Sequence, residues 1–528
     1  MSDKTAPKPP AGYHRHRQSP NVSRRLLLGG VGAGAAGLVA GVAGAPSVAG
    51  AVPLPGQTNP NQTRSDRFGR MFPDLPIFAP ANNATRAAMR DIGKPGGLLD
   101  AADDLARGPV DLIIDPALSA NNRDNQFQTA GTTFVGQFLD HDMTFDTTSE
   151  LGFPTPPEET PNARTPALDL DSVYGGGPTA NPALYQPDRE HLRIESSGVF
   201  EDFPREPDGT AIIGDPRNDE NLMIAGIHQA FILAHNRVVD QLRAEGMTTG
   251  VFAEARRIIT WHWQWIVIHQ FLRQVVSFGV VTDILAHGRR FYRPEPGPAF
   301  IPVEFQGAVY RFGHSMVRPS YRANLAGNPD GSAFFGMIFD PAGEGQPDPV
   351  DLRGFTRAPR RFIGWQTFFQ FNDGELKTNK RIDRRISTPL FHLPLQTIPS
   401  ADPPISLPER NLLRGITWEL PSGQAVANAM GWAAFTLPEL APYGLQNSSP
   451  LWYYAMAEAE LVNDGIHLGP MGGRLVGEVI IGLIQLDPNS YLRQQPTWVP
   501  TLPRRQAGTF TMEDLLTFAR VDPASRGQ

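Results

Sequence analysis

The sequence predicts a mainly α-helical protein, with one large helical domain, long loops and little β-structure. Apolar residues recur at helical spacing in several long segments, whereas the strict alternation typical of half-buried strands is scarce. The 528 residues include 52 Gly and 51 Pro, which indicate many turns and long loops. No internal repeat is found, which leaves a single large domain as the expected architecture.

The helical spacing also places the individual helices. The segment 252–276 contains a near-continuous apolar run, but Trp261, His262 and His269 interrupt it. We therefore expect a buried core helix there rather than a membrane span. The two histidines are interpreted as core or surface residues rather than metal ligands. Helices are predicted over residues 131–145, 220–243, 252–276, 306–317, 423–430, 451–464, 472–485 and 511–519, the last with Thr511 and Asp514 as a capping pair.

The N-terminal segment resembles a twin-arginine export signal. A polar, basic stretch precedes Ser23-Arg24-Arg25, and a weakly apolar Gly/Ala/Val run with small-residue cleavage sites follows. An uncleaved membrane anchor is the alternative, but the Gly and Ala content favours a signal. We therefore predict a secreted, periplasmic or cell-surface protein with no stable membrane span in its mature form. The predicted boundaries are 1–51 for the signal, 52–85 for a Pro/Asn-rich arm and 86–528 for the main domain.

The composition excludes several kinds of site. The chain has no cysteine, so disulfides, zinc–thiolate sites, iron–sulfur clusters and cysteine nucleophiles are excluded. Any metal must therefore bind through His, carboxylate, hydroxyl or carbonyl ligands. The formal net charge is −7, and nothing in it indicates a nucleic-acid partner.

A first polar cluster lies in the predicted helix 131–145. Gln137 and His141 are four residues apart and share a helix face, with Asp140 beside them. Asp142 points about 100° further round the helix. Burying such groups without a purpose costs free energy. The helix therefore offers an acid–base histidine on one side and a carboxylate on another, with a purely structural polar cluster as the alternative.

A second cluster is the acidic loop 165–175. Side-chain oxygens of Thr165, Asp169 and Asp171 alternate along it, with the carbonyl of Ala167 between them. Oxygen ligands in this arrangement suit a hard cation such as Ca²⁺. The spacing is not that of an EF-hand, and a solvated acidic turn is the alternative.

Three further stretches are weak when each is taken alone. Arg217 and Glu220 are three residues apart at the start of a predicted helix, which is also the pattern of a surface salt bridge. His314 follows Gly313, whose missing side chain leaves room for a flat ligand. A lone histidine in an amphipathic helix is nevertheless usually structural. Residues 408–415 have no distinctive pattern of their own.

In residue type, spacing and order, these stretches together resemble the animal haem peroxidases, the group that includes myeloperoxidase, lactoperoxidase and thyroid peroxidase, and above all its bacterial members. The resemblance extends from about residue 68 to residue 518. It implies a helical domain that binds haem b and Ca²⁺. It assigns catalysis to Gln137, His141 and Arg217, and covalent haem attachment to Asp140 and Glu220. The implied calcium ligands are Asp142, Thr165, Ala167 through its carbonyl, Asp169 and Asp171.

On the proximal side of the haem, the same resemblance implies that His314 is the iron ligand. It also implies that Asn411 forms a hydrogen bond with the His314 imidazole. Arg311 and Arg414 are expected near the haem propionates.

The resemblance implies a peroxidase that reduces hydrogen peroxide and oxidises small donors, halides or phenols, through a ferryl intermediate. His141 is expected to act first as a general base and then as a general acid. Arg217 is expected to stabilise the charge that develops as the O–O bond breaks. Asn221 stands where myeloperoxidase has the Met that links to haem, so that link is not expected. Both carboxylates are present, so one or two ester links to the haem remain open.

Two other functions are weighed against this one. A haem-dependent fatty-acid dioxygenase is disfavoured, because Arg311 stands where those enzymes carry a Tyr three residues before the proximal histidine. A secreted adhesion or matrix protein that keeps the fold without the activity is also an alternative. The intact set of His141, Arg217, His314 and Asn411 argues against it.

Overall fold

Helices account for most of the regular structure of this protein, as the sequence predicts. The computed structural model describes residues 64–115, 117–118, 120–196 and 199–528. The expected signal segment and the first part of the arm lie outside the described residues. The longer helices are α1 (Asn83–Gly93), α2 (Gly108–Ile114), α3 (Gly131–Met143), α5 (Leu222–Ala244), α6 (Val251–Ile266), α8 (Phe278–His287), α11 (Leu407–Thr417), α12 (Gly423–Ala429), α13 (Leu451–Asn463), α14 (Pro470–Leu486) and α16 (Met512–Phe518).

Short helical turns connect these elements. A π-helical turn, Val267–Phe271, continues α6. The single-turn helices are α4 (Asp171–Tyr174), α7 (Leu272–Val275), α9 (Val303–Gln306), α10 (Gly313–Met316), α15 (Tyr491–Gln494) and α17 (Pro523–Arg526).

The β-structure of the described residues is limited to short two-stranded pairs. β1 pairs with β5 in parallel, and the other three pairs, β2 with β8, β3 with β4 and β6 with β7, are antiparallel. The strands are β1 (Arg64–Gly69), β2 (Asp124–Thr129), β3 (Glu195–Ser196), β4 (Glu201–Asp202), β5 (Ala299–Pro302), β6 (Ser320–Asn324), β7 (Phe334–Met337) and β8 (Thr378–Lys380).

The prediction of one continuous helix over 306–317 is wrong. The chain instead forms α9, a separate 3₁₀ turn over Val309–Phe312, and then α10. Gly307 packs so closely against Trp418 that a Cβ atom there would lie 2.5 Å from the indole ring. Ala308 has φ −141° and ψ −78°, which no helix adopts. His314 is therefore carried by a single-turn helix after an irregular segment.

The described part of the predicted arm, residues 64–85, packs against the helical body. Its strand β1 pairs with β5, and Phe68 and Phe78 are buried. Burying aromatic rings of this size contributes a large share of hydrophobic stabilisation.

The core holds the first polar cluster in place. α3 packs against α5, and α5 packs against α6. Phe138 of α3 stacks on Phe231 of α5, with ring centroids 4.8 Å apart, and contacts the edge of Trp263 of α6. Asn221 caps the N-terminus of α5 by accepting a hydrogen bond from the amide of Ile224. The polar side of α3 is thereby fixed relative to the start of α5.

The C-terminal helix α16 begins with the expected capping box. The Thr511 hydroxyl accepts from the Asp514 amide, and the Asp514 carboxylate accepts from the Thr511 amide. Within the described ranges, none of the helices is both long enough and apolar enough to cross a bilayer.

Candidate active site

The polar face of α3 is connected directly to the segment that precedes α5. Nε2 of Gln137 donates to a Glu220 oxygen at 3.1 Å, and Nδ2 of Asn221 donates to Oε1 of Gln137 at 3.2 Å. The first and third clusters of the sequence therefore lie side by side, although more than seventy residues separate them. Asn221, the residue that departs from the myeloperoxidase pattern, orients Gln137.

His141 is buried, with 5% of its surface exposed. Its Nδ1 lies 2.8 Å from Oδ1 of Asn218. Burial, assisted by the nearby Arg217 guanidinium, lowers the pKa of His141 to about 3. The imidazole is therefore neutral at physiological pH, which leaves one ring nitrogen free to accept a proton.

Arg217 lies on a 3₁₀ turn, Pro216–Asp219, rather than in the long helix. Its guanidinium pairs with the buried carboxylate of Asp215 at 2.7 Å and donates to the carbonyl of His141 at 3.2 Å. The face of Phe145 covers it at 4.1 Å. The surface salt bridge to Glu220, the alternative for this motif, does not form. Instead, the guanidinium is held beside His141 with its charge partly balanced.

Two carboxyl groups lie near Arg217. Burial raises the pKa of Glu220 to about 8 and also raises the pKa of Asp140, while Arg217 opposes both shifts. Nη1 of Arg217 is 4.0 Å from Asp140. Both side chains keep some accessible surface.

His314 lies on α10, which packs against α3. Its Nδ1 is 2.7 Å from the amide nitrogen of Asn411 on α11, and Nη1 of Arg311 donates to the amide oxygen of Asn411 at 3.1 Å. Burial lowers the pKa of His314 to about 3, with contributions from Arg311 and from His141. The two imidazoles are therefore close enough for their charges to interact.

An excess of positive charge lies next to His314. Burial and the neighbouring Arg414 lower the pKa values of Arg311 and Arg410 to about 10. Arg414 itself donates to the carboxylate of Asp146 at 2.6 Å. Guanidinium groups that lower one another's pKa repel one another, and a bound anion would relieve this repulsion. Such a cluster suits a ligand that carries carboxylates.

The residues around His141 and His314 fit a haem group. A Cβ atom on Gly313 would meet no neighbouring atom within 4 Å, so the chain leaves room beside His314. The neutral imidazole of His314 could hold the iron, and the arginines offer partners for two propionates. Gly136 on α3 is packed instead, because a Cβ atom there would lie 3.1 Å from Phe271.

The acidic loop forms a second centre behind α3. Carboxylate oxygens of Asp142, Asp169 and Asp171 lie within 4.8 Å of one another. Asp142 is fully buried, and Oδ1 of Asp171 is buried without a hydrogen-bond partner. Burial and repulsion by neighbouring carboxylates raise the pKa of Asp142 well above its usual range and that of Asp171 to about 7. A solvated acidic turn, the alternative for this loop, does not fit these observations.

Local backbone geometry assembles the loop. Leu170 adopts a left-handed conformation with φ +59°, which turns the chain between Asp169 and Asp171. The Thr165 hydroxyl lies 3.0 Å from Asp169 and 2.9 Å from Asp171, and Ala167 is buried between them. These oxygens form a set that a hard cation would satisfy.

Three residues of the site are not predicted from the sequence. Asp215 neutralises Arg217, Asn218 binds His141, and the indole of Trp263 donates to Asp142 at 3.3 Å. Asp215 and Asn218 flank Arg217 in the chain, so the polar run 215–221 was the available signal. Trp263 is separated from Asp142 by 121 residues and carries no local signal.

The interpretation of His262 as a core residue agrees with the structure. Its Nδ1 donates to the carbonyl of Ile258, and its Nε2 accepts from the amides of Thr501 and Leu502. Both ring nitrogens are thus used. His269 stacks on Trp265, with ring centroids 3.8 Å apart.

Comparisons with known proteins agree with this geometry. The family profile described as Animal haem peroxidase matches residues 149–342, which include the acidic loop, Arg217, Glu220 and His314. The human protein named Probable oxidoreductase PXDNL is 29% identical over 227 residues, covering 37% of this chain and 15% of that protein. This chain therefore spans only a small part of the length of that relative.

Solved structures share the fold over most of the chain. Peroxidase A from Dictyostelium discoideum superposes with a TM-score of 0.58 at 16% identity, covering 87% of this chain and 94% of the other. A fatty acid alpha-dioxygenase from Arabidopsis thaliana superposes with a TM-score of 0.52 at 14% identity, covering 86% and 88%. Residues 149–342 of this chain are thus similar to the animal haem peroxidase family, and its helical fold is shared with a solved peroxidase over most of its length.

Proposed function

We propose that this protein is a haem peroxidase that reduces hydrogen peroxide and oxidises small donors such as halides or phenols. The observation that carries the proposal is the pair of neutral, buried imidazoles, His141 and His314, which lie close enough for their charges to interact. One of them is accompanied by a charged guanidinium and the other by Asn411. A histidine that only packs in the core needs neither partner.

The residues divide the chemistry between them. Haem, when bound, supplies the iron that binds peroxide and the electrons that cleave its O–O bond. His314 is the residue that would hold the iron, and Arg311, Arg410 and Arg414 are the groups available to the propionates. A free ring nitrogen of His141 takes a proton from peroxide and returns it to the oxygen that leaves as water.

Arg217 stabilises negative charge on the departing oxygen. Its pairing with Asp215 holds the guanidinium in place before peroxide arrives, so little reorganisation is needed during the reaction. The electrons are balanced by the donor: two phenol molecules each give up one electron and one proton, and peroxide becomes two water molecules.

The carboxyl groups of Asp140 and Glu220 are candidates for ester links to the haem. Burial raises the pKa of both groups, that of Glu220 to about 8, and protonated carboxyl groups are better suited to ester formation than carboxylates. Denaturing acid extraction tests this point. Haem that stays with the protein would support a link, and full release of intact haem b would reject it.

We further propose that Asp142, Asp169, Asp171 and Thr165, with the Ala167 carbonyl, bind Ca²⁺. Oδ1 of Asp171, which is buried without a hydrogen bond and 3.8 Å from the Arg164 guanidinium, supports this assignment. One calcium ion per chain is expected by elemental analysis. An Asp169→Asn and Asp171→Asn double variant should lose it, and unchanged calcium content in that variant would reject the site.

Export by the twin-arginine route is also a proposal, and it rests on Ser23-Arg24-Arg25 and the apolar run that follows. An Arg24→Lys and Arg25→Lys double variant should accumulate inside the producing cell. Equal export of the variant and the parent protein would reject this route.

The principal experiment compares the purified protein and its His141→Ala variant. Both should show a haem absorption spectrum, but only the parent should oxidise bromide or guaiacol when peroxide is added. The fold is shared with a fatty acid alpha-dioxygenase, so oxygen uptake with linoleate is measured in parallel. Oxygen uptake without peroxide-dependent oxidation would favour a dioxygenase, and no reaction in either assay would favour a scaffold that has lost the activity.

A further inference from the structure

Asn218 lies between two buried histidines on the distal side of the site. Its Oδ1 is 2.8 Å from Nδ1 of His141, and its Nδ2 is 3.0 Å from Nδ1 of His228. Asn218 has no exposed surface, and His228 is 1% exposed. The carboxamide is therefore shielded from solvent. Its oxygen faces the His141 imidazole, and its nitrogen faces the His228 imidazole.

A neutral imidazole carries one proton, and the partner of one ring nitrogen decides where that proton is. An amide oxygen can only accept, so it requires N–H at Nδ1 of His141. Nε2 of His141 is then the unprotonated nitrogen. The opposite amide orientation would place N–H on Nε2, where it could not take a proton from peroxide.

His228 is the partner of the Asn218 amide nitrogen. Burial lowers the pKa of His228 to about 3, so the ring is neutral and its Nδ1 can accept from the amide N–H. Edge-to-face contacts with Phe138 and Phe203 hold the ring, with centroids 6.3 and 5.1 Å away. The backbone of Asn218 is equally constrained, because it lies in the 3₁₀ turn that the Asp215 side chain caps.

We propose that Asn218, oriented by His228, is a positioning residue that sets the tautomer of His141, so that Nε2 is the base that receives the proton of peroxide. The inference rests on the proposed peroxidase function. It adds a residue pair that acts only through His141 and touches neither peroxide nor haem. Arg217 and Asn218 lie in the same turn. One short segment therefore carries both the positive charge beside His141 and the residue that sets its tautomer.

The decisive variants are Asn218→Leu and Asn218→Asp. Leucine removes both hydrogen bonds and keeps the branching and the number of side-chain heavy atoms, whereas aspartate keeps an oxygen acceptor for Nδ1 of His141. We expect Asn218→Leu to lower the bimolecular rate constant with peroxide by ~10- to 100-fold, since partners that orient a functional histidine typically have effects of that size. Asn218→Asp should recover most of the rate. A matched control is Asn236→Leu, which also removes two hydrogen bonds, both to Leu192, but far from His141.

Two ligands provide a measurement that does not depend on turnover. Hydrogen cyanide binds to haem iron as the anion and must leave its proton on a distal base, whereas carbon monoxide brings no proton. We expect Asn218→Leu to weaken cyanide binding by about tenfold or more and to leave carbon monoxide binding to the reduced protein unchanged. Equal cyanide affinities in Asn218→Leu and the parent protein would overturn the inference.

The tautomer can also be measured in the parent protein, which guards against a variant that does not fold. In the diamagnetic carbon monoxide complex, ¹⁵N spectra of histidine-labelled protein distinguish N–H at Nδ1 from N–H at Nε2. The His141 signals are assigned from their loss in His141→Gln. A proton at Nδ1 supports the inference, and a proton at Nε2 overturns it. A parent protein that lacks haem or does not react with peroxide would instead reject the proposed function itself.

Discussion

The two histidine walls of the site are prepared to different degrees. On the distal wall, Asn218 holds His141 and Asp215 holds Arg217, and both contacts are compatible with catalysis as they stand. On the proximal wall, Nδ1 of His314 faces the amide nitrogen of Asn411, because Arg311 donates to the amide oxygen. An iron bound at Nε2 requires N–H at Nδ1 and therefore an acceptor in that position.

The distal contacts thus already have the arrangement that the proposed chemistry needs, whereas the Asn411 amide would have to turn for His314 to hold an iron. We therefore expect substitutions on the two walls to differ in effect, with haem binding lost on the proximal wall and the rate with peroxide lowered on the distal wall. The predictions below follow from this contrast.

The largest effect is expected for His314→Ala. Loss of the axial ligand should abolish stable haem binding, because α10 carries no second histidine that could replace it. The Soret absorbance per chain measures this directly. His287→Ala, which changes an exposed histidine that is paired with Asp283, is the matched control and should keep its haem. A His314→Ala protein with normal haem content and spectrum would contradict the assignment of the proximal wall.

Arg217→Ala should have the opposite phenotype, with normal haem content and a slow reaction. Removal of a group that stabilises charge in the transition state costs ~10²–10³-fold in rate. The buried Asp215 would also lose its main partner, so some loss of stability is expected as well. Stopped-flow absorbance after mixing with peroxide measures the rate. Haem loss equal to that of His314→Ala would show that the two walls are not separable in this way.

Removal of Ca²⁺ should affect the distal wall before the proximal one. Asp142 is adjacent to His141 in α3, and its carboxylate also accepts from Ser172 and from the amide of Leu170. Without the cation, the repelling carboxylates should loosen the end of α3 and shift the Soret band. The measurement is the absorption spectrum after chelation, with metal removal verified by elemental analysis. An unchanged spectrum would break the link between the loop and the distal histidine.

The chelated protein should also become less stable as the pH rises. The pKa of Asp171 is about 7 in the folded chain, compared with an ordinary value of 3.8. The folded state therefore holds a proton that the unfolded state releases, and this stabilisation is lost between about pH 4 and pH 7. The melting temperature should fall across that window without Ca²⁺. Asp171→Asn should flatten the dependence, and an equally steep fall in that variant would assign it to other groups.

The sequence predicts the helix that carries His141 correctly, but not the segment that carries His314. The local spacing of Gln137, Asp140 and His141 indicated a shared helix face, because a long helix with a regular apolar stripe is specified by its own residues. The segment around His314 is not predicted correctly, because the helical conformation is interrupted at Ala308, next to a glycine that packs against Trp418, a residue more than a hundred positions away. Contacts of this kind are set by the fold and leave no local pattern. Asp215 and Asn218 were missed for a related reason, since their partners become neighbours only after α3 and α5 pack together.

The smallest effect is expected for Trp263→Phe, which tests whether the hydrogen bond from Trp263 to Asp142 affects the Ca²⁺ affinity of the acidic loop. The smaller ring can keep the contacts with Phe138 and Phe231 but loses the indole N–H that donates to Asp142. Hydrogen bonds to charged groups contribute ~1.5–3 kcal/mol, and outer partners of metal ligands typically change metal affinity by ~10-fold or more. We therefore expect a modest rise in the Kd for Ca²⁺ and a normal haem spectrum at saturating Ca²⁺.

Trp261→Phe is the matched control for this variant. It lies on the same helix and loses one indole hydrogen bond, to the carbonyl of Asn489, away from the loop. Calorimetric titration with Ca²⁺ measures both variants. Equal affinities in the two would mean that Asp142 is held by its backbone and Ser172 contacts alone. The geometry of the distal wall would then depend on α3 itself rather than on the contact from α6.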